Sequence, residues 1–536
     1  MTGTTELSGT QNRAGTSGLQ VYVGILFLFT VSICVGVASL AWPLSWDEGI
    51  FAWIGDVVAR GGTPYVDAWD VKGPLAYFGY ALAEIVFGRM ALGVRAIDLL
   101  LTVTGCAGVF YMLNPMMSKR AACLSALILF TSVLGEGYNV NGQPDLWASW
   151  LITMAVAMVW NRASFTRSAA GAALIGASML IKPVYAAFLV LLWFPVFANG
   201  VPGWRKSASM AATMAAGCAA PIILCIGWFW SRGALREFFD SYILFNLEAN
   251  GTSHITLGIV ASAAIGFLTE RQQLLIAVPF CCVGLWFALS GQREGPQLSR
   301  MRLLVTWIVI AVFLVALQNR WFAYHWAPWF PAVTMAASLG FHRIWIASET
   351  RSDLAQYARL LVSVTIAMIA CGISSAPIKS ALRTFKFVTH RITAEEFESG
   401  FTNFPGDYTL TDIRLAADFV RDNTATEDRV LVWQELNVNV LTGRKTPGRF
   451  AFYTPIEGRP GEVTSGRMAT NRAEMFRTLA QHPPIYVLVE PAAWRGGNPN
   501  ALGHLPSRFP ELMRWIEQNY EPQKDVGRFL VFKIRS

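Results

Sequence analysis

Trp46-Asp47-Glu48-Gly49, followed by Asp67, Asp70, Lys72, Gly73, Pro74 and Leu75, sets a cluster of carboxylates and one lysine just behind the first long apolar run of the chain. Ionised groups beside a bilayer are costly and usually mark a substrate or ion path, so chemistry is expected among these residues. The elements that must position them are legible nearby. Ile50, Phe51, Ile54, Val57 and Val58 recur at helical spacing behind Asp47 and Glu48 until Gly61-Gly62-Thr63-Pro64 breaks the pattern. A second amphipathic run passes through Leu75, Phe78, Leu82 and Phe87. Two interfacial helices in a first outer loop, about 44–92, are thereby expected to frame a charged pocket. Gly73-Pro74 makes a tight turn that turns the Lys72 ammonium toward the pocket of Asp47.

The rest of the chain sets that loop in a membrane. With 54% hydrophobic and 15% charged residues, 20 Trp and 34 Phe in 536 residues, the composition is that of a polytopic α-helical membrane protein. The run from Gln20 to Pro43 is long enough to span and has no small-residue cleavage signature after it, so it reads as a retained anchor. Further spans are expected near 93–113, 121–135, 146–160, 168–181, 184–198, 208–230, 273–290, 303–317, 326–345 and 360–377, roughly eleven in all. The net charge of +8 sits in short loops, which is topology rather than nucleic-acid binding. Lys119 and Arg120, Arg162 and Arg167, Arg205 and Lys206, Arg293 with Arg300 and Arg302, and Arg343 with Arg351 share the side of Arg13, which makes that side the cytoplasm. The first loop, the segment 136–145, Lys182-Pro183, the stretch 231–272, the segment 318–325 and everything after about 378 then face outward.

The chain has no Gly-rich phosphate loop, so neither ATP nor a sugar nucleotide is expected as the direct substrate. No inverted repeat supports a transporter. All eight cysteines fall within proposed spans, where they serve as small packing residues, and no two of the six histidines stand at metal-ligand spacing. After residue 377 the composition turns soluble. Strand-length runs at 430–433, 485–489 and 529–532 alternate with helical spacing over 410–421 and 472–481. This predicts a small C-terminal α/β domain, 378–536, with a short, partly parallel sheet outside the membrane module of 1–377.

Trp-Asp-Glu at the head of the first outer loop, Pro64-Tyr65-x-Asp67-x-x-Asp70-x-Lys72-Gly73-Pro74-Leu75 at its end, Asp145, Lys182-Pro183, and Arg320 to His325 resemble the GT-C glycosyltransferases. The nearest branch resembles the lipid A aminoarabinose transferases and the protein O-mannosyltransferases, with their bacterial envelope-modifying relatives. The resemblance covers nearly the whole chain and implies a polyprenyl-phosphate sugar donor that is used on the extracytoplasmic face of the bacterial inner membrane. It implies that Asp47 is the general base, which suits a carboxylate that must take the proton of an attacking hydroxyl. Lys72, Lys182 and Arg320, with Tyr324 and His325, are then expected to face the leaving phosphate. Glu48, Asp70 and Asp145 are expected to orient sugar or acceptor, or to hold a cation. The resemblance implies a glycan or lipid acceptor of the envelope, such as lipopolysaccharide or polysaccharide, and leaves open which one. No Asp-x-Asp metal motif is present, and a divalent cation stays an open requirement.

Each residue also has a plainer reading. Asp47, Glu48 and Asp145 suit helix starts, Lys72 and Lys182 suit snorkelling to the interface, Arg320 and His325 suit interfacial anchoring, and Asp67 and Asp70 suit turns. Other functions compatible with the sequence are a lipid-linked substrate transporter or flippase, a protein O-mannosyltransferase, and a silent scaffold.

Overall fold

The computed structural model describes residues 26–197, 202–250, 256–290, 296–318, 321–347, 366, 376–401, 409–456, 466–495 and 504–535. Arg13, Arg293, Arg320, Arg351 and nearly all of the run proposed over 360–377 lie outside the described residues.

Helix α1 (Leu26–Ser39) leads through Pro43 into α2 (Trp46–Ala59). Helix α3 (Pro74–Phe87) starts on a proline whose fixed φ suits a first turn and whose missing N–H costs nothing there. Then follow α4 (Ala91–Leu113), α5 (Lys119–Gly135), α6 (Pro144–Val159), α7 (Phe165–Met179) and α8 (Trp204–Ser231). Ser118 and Ser164 cap α5 and α7 by accepting from the Ala121 and Arg167 amides.

Helices α4, α8 and Gln297–Gln318 are long and apolar enough to cross a membrane, with mean hydropathies of 1.8, 1.9 and 2.2. At 1.5 Å per residue such helices reach about 30 Å or more, the thickness of a hydrocarbon core. Leu224 and Trp230 of α8 are 75% and 71% exposed, a surface that suits lipid rather than water. The chain is a membrane protein.

Three expected stretches take a more particular form in the structure. The span expected at 184–198 is a 3-10 helix, Pro183–Trp193; at about 2 Å per residue it reaches only about 22 Å. The stretch 231–272, expected to face outward, holds a π-helical turn (Phe239–Leu244) and an apolar helix, Leu257–Glu270. Helix α2, expected to lie along an interface, has every residue from Glu48 to Asp56 covered by other parts of the fold. Its apolar spacing was visible, but the neighbours that cover its remaining faces come from distant sequence.

The C-terminal residues form a four-stranded sheet of β1 (Val430–Val432), β2 (Tyr486–Val489), β3 (Tyr520–Pro522) and β4 (Leu530–Ile534) in the order β1-β2-β4-β3. The β1–β2 pair is parallel and the others antiparallel. Alternate side chains go to opposite faces. Val430, Val432, Leu488 and Val531 meet Ile413, Ala416 and Val420 of the helix Leu410–Asn423 in one small core. Leu431, Val487, Val489 and Phe532 belong instead to the large core that also holds Trp42, Ile54 and Tyr77 of the first helices.

Candidate active site

Three segments meet around the Asp145 carboxylate. Pro144 starts α6, so Asp145 stands in its first turn with a fully buried side chain. The turn at Gly73 docks on the chain end of α7: Gly73 N–H donates to the Ile181 carbonyl at 3.1 Å and Leu75 N–H to that of Leu180 at 3.2 Å. A Cβ at Gly73 would overlap the Leu180 carbonyl, so only glycine allows this approach. The docking brings Lys72 and Lys182 to one acid. Lys72 Nζ donates to Asp145 Oδ2 at 2.8 Å, and Lys182 Nζ donates to Asp145 Oδ1 and, at 2.7 Å, to Gln318 Oε1. Tyr185 O–H adds a bond to Oδ1 at 2.8 Å.

Two ammoniums on one carboxylate leave the cluster with one net positive charge. Burial pulls the Lys72 pKa down, but the Asp145 carboxylate and, behind it, Asp47 and Asp70 outweigh that and hold the ammonium above its ordinary value of 10.5. Neither lysine snorkels outward.

Asp47 lies within reach of this cluster through Tyr324. Tyr324 O–H donates to Asp47 Oδ2 at 2.9 Å, and the same ring has Lys72 Nζ 5.2 Å from its centroid. Phe51, one turn further along the same face of α2 as Asp47, has Lys72 Nζ 5.9 Å from its ring. Buried His325 stands edge-on to Tyr324 at 4.8 Å. Tyr324 is thus placed between acid and ammonium, and it meets Asp47 first.

Glu48 is not brought to this group. It makes a paired contact with Arg95 of α4, Oε1 to Nη1 at 2.9 Å and Oε2 to Nη2 at 2.8 Å, while Oε2 also accepts from the Ser45 amide at 2.6 Å. Arg95 is buried and donates as well to the carbonyls of Pro43 and Asn141. Burial raises the Glu48 pKa and the Arg95 charge opposes that rise. The geometry is that of a helix start tied to its neighbour.

Asp70 is buried and accepts from Tyr77 O–H at 3.1 Å and from the Lys72 amide at 3.4 Å; burial pushes its pKa up. Asp67 closes a turn on the Thr63 amide at 2.7 Å. Tyr65, buried with φ at 71°, donates to the Lys72 carbonyl at 2.7 Å. A tyrosine in that region is uncommon and marks backbone held by its surroundings. Tyr65 stood in the sequence motif without a role, and Tyr77, Arg95, Tyr185 and Gln318 were missed at the sequence level. Of those four, only Arg95 left a signal, an ionised residue inside an apolar run.

Among the described residues, no group of three or more His, Cys, Asp or Glu side chains is arranged to hold a metal ion. Asp145 is matched by two lysines and Glu48 by arginine. Beside Trp69 lies a cavity of about 380 Å³ lined by Arg236, Asp240, Arg449, Arg467 and Glu474, among others.

No family model and no curated protein matches the sequence. Among solved structures, the chain is similar to the crystal structure of ArnT from Cupriavidus metallidurans in the apo state, with a TM-score of 0.60 over 95% of this chain and 98% of that one. The two share a fold. Their sequence identity is 13%, so the likeness speaks for architecture and leaves the chemistry to the residues.

Proposed function

We propose that this chain is an integral membrane glycosyltransferase that moves a sugar from a polyprenyl-phosphate donor to a glycan or lipid acceptor of the bacterial envelope, on the extracytoplasmic face of the inner membrane. The observation that carries this reading is the pair of lysines converging on buried Asp145 within reach of a carboxylate, Asp47, that is held by Tyr324. The ArnT-like fold supports it.

In the proposed reaction, Asp47 takes the proton of the acceptor hydroxyl as its oxygen attacks the anomeric carbon. The bond from that carbon to the phosphate oxygen breaks, and the electron pair leaves on the lipid phosphate. Lys72 and Lys182 offset the developing charge in a site shielded from water. A single displacement inverts the anomeric centre. Tyr324 orients Asp47, and Asp145 spaces the two ammoniums. Glu48 and Arg95 brace the start of α2.

A transporter would keep its ionisable groups within spans. Arg95 and Asp98 do lie in α4, yet Arg95 is committed to Glu48 and backbone carbonyls, and Asp98 accepts from Trp147 Nε1 at 3.0 Å. The test is release of free polyprenyl phosphate by purified protein given donor and envelope glycolipid. Acceptor-dependent release is the expected outcome, and movement of intact donor across vesicles without cleavage would replace this reading with transport.

A further inference from the structure

The first turn of α2 carries Asp47, and it is gripped by residues roughly four hundred positions away in the chain. The Trp46 ring lies parallel to that of Tyr453, with centroids 5.8 Å apart and planes 9° apart. Asn437 Nδ2 donates to the Ser45 carbonyl at 3.3 Å. The Asn437 side chain fits so closely over Gly49 that a Cβ there would lie 2.7 Å from its amide carbon and nitrogen. Asn437 is itself fixed, since it is buried and its backbone N–H donates to Glu435 Oε1 at 3.0 Å. These contacts fall on the residues on either side of Asp47, at positions 45, 46 and 49, and none falls on its carboxylate.

The same C-terminal stretch holds the segment that carries Lys72. Arg449 Nη1 donates to the Tyr65 carbonyl at 2.6 Å, the Trp69 amide donates to the Arg449 carbonyl at 3.1 Å, and Glu474 pairs with the Arg449 guanidinium at 2.6 Å. The sheet and its helices are therefore braced against both segments that bear the proposed base and the proposed phosphate ligand.

We infer that Asn437 and Tyr453 are positioning residues for Asp47: the C-terminal region sets the angle of the first turn of α2 and through it the reach of the carboxylate. The inference rests on Asp47 being the base. A proton acceptor misplaced by about 1 Å can cost on the order of a hundredfold in rate even when every reacting group is present.

The test is a set of double-mutant cycles in purified full-length protein, with polyprenyl-phosphate sugar as donor and donor binding used to normalise for folded protein. Tyr453→Leu, which removes the stack, and Asn437→Asp, which sets an acceptor against the Ser45 carbonyl, should each lower kcat about 10- to 100-fold and leave the donor KM within about twofold. Tyr453→Phe keeps the ring and should keep most of the rate. Trp46→Leu removes the same stack from the other side and should match Tyr453→Leu, with no added loss in the double variant.

In an Asp47→Asn background, neither Tyr453→Leu nor Asn437→Asp should lower the residual rate further, because the group they position is already gone. Equal losses in both backgrounds would make these residues merely structural and overturn the inference, as would a wild-type rate in Tyr453→Leu and Trp46→Leu. Unchanged transfer by Asp47→Asn alone would instead remove the base on which the inference rests, and the two failures are told apart by that single variant.

Discussion

Two ammoniums sharing a buried carboxylate give each residue of the site a different expected response. Asp145→Asn would leave Lys72 and Lys182 close together without their counter-charge, and removing one partner of a buried pair costs about 3–5 kcal/mol. Thermal unfolding in detergent should show that loss. Lys72→Ala leaves Asp145 paired with Lys182 and Tyr185, so the protein should fold while donor affinity and turnover fall together. Unchanged affinity and rate would remove Lys72 from the donor site.

The sign of its pH dependence follows from the raised Lys72 pKa. The charge, and the stability it brings, is fully present below the ordinary lysine value of 10.5 and is lost only as pH rises beyond the raised value. Donor affinity measured from about pH 7 to about pH 9 should therefore show no decline from loss of the Lys72 charge. Glu48→Gln should act chiefly on stability, because it unbalances the buried Arg95, and should cost less in rate than Asp47→Asn because the Asp47 carboxylate and its Tyr324 bond are kept. A lowered melting temperature with a smaller loss of rate per folded molecule than in Asp47→Asn is the expected pattern. The types and positions of Asp47, Lys72, Asp145 and Lys182 were legible because charge is rare in so apolar a chain. The bond between Tyr324 and Asp47 was not, since the partners lie 277 residues apart and no local spacing encodes such a contact.

At the scale of elements, the site depends on a loop pressed against a helix end. Gly73 meets the Leu180 carbonyl so closely that Gly73→Ala must push the turn away and draw Lys72 from Asp145. Its expected effect is that of Lys72→Ala in donor binding plus a loss of stability, both read on the same purified protein; wild-type donor affinity would show that the turn does not position the lysine. The helices Ala91–Leu113 and Trp204–Ser231 were readable to within a few residues, from apolar runs near 93–113 and 208–230. The 3-10 segment Pro183–Trp193 was not, because an apolar run has the same composition whatever its helical pitch. Likewise the apolar spacing of α2 gave a helix but not its burial, which comes from partners such as Tyr80 and Asn437.

For the whole molecule, the sheet of the C-terminal region feeds side chains into the core of the first helices, so the region that composition marks off as soluble shares a core with them. Lys and Arg placement predicts that this region lies outside the membrane and the N-terminus inside. With native cysteines replaced, a cysteine at exposed Lys524 should react with an impermeant thiol reagent from the extracytoplasmic side of intact inner membrane; reaction only after access to the cytoplasm would put the site on the wrong face for the proposed donor. The central claim is that Asp47 takes a proton during sugar transfer. Asn keeps the size of the side chain and a carbonyl oxygen to accept from Tyr324, but it cannot take that proton. Purified Asp47→Asn given polyprenyl-phosphate sugar and acceptor should therefore bind donor normally and transfer it roughly two to four orders of magnitude more slowly. Transfer at close to the wild-type rate would contradict the account.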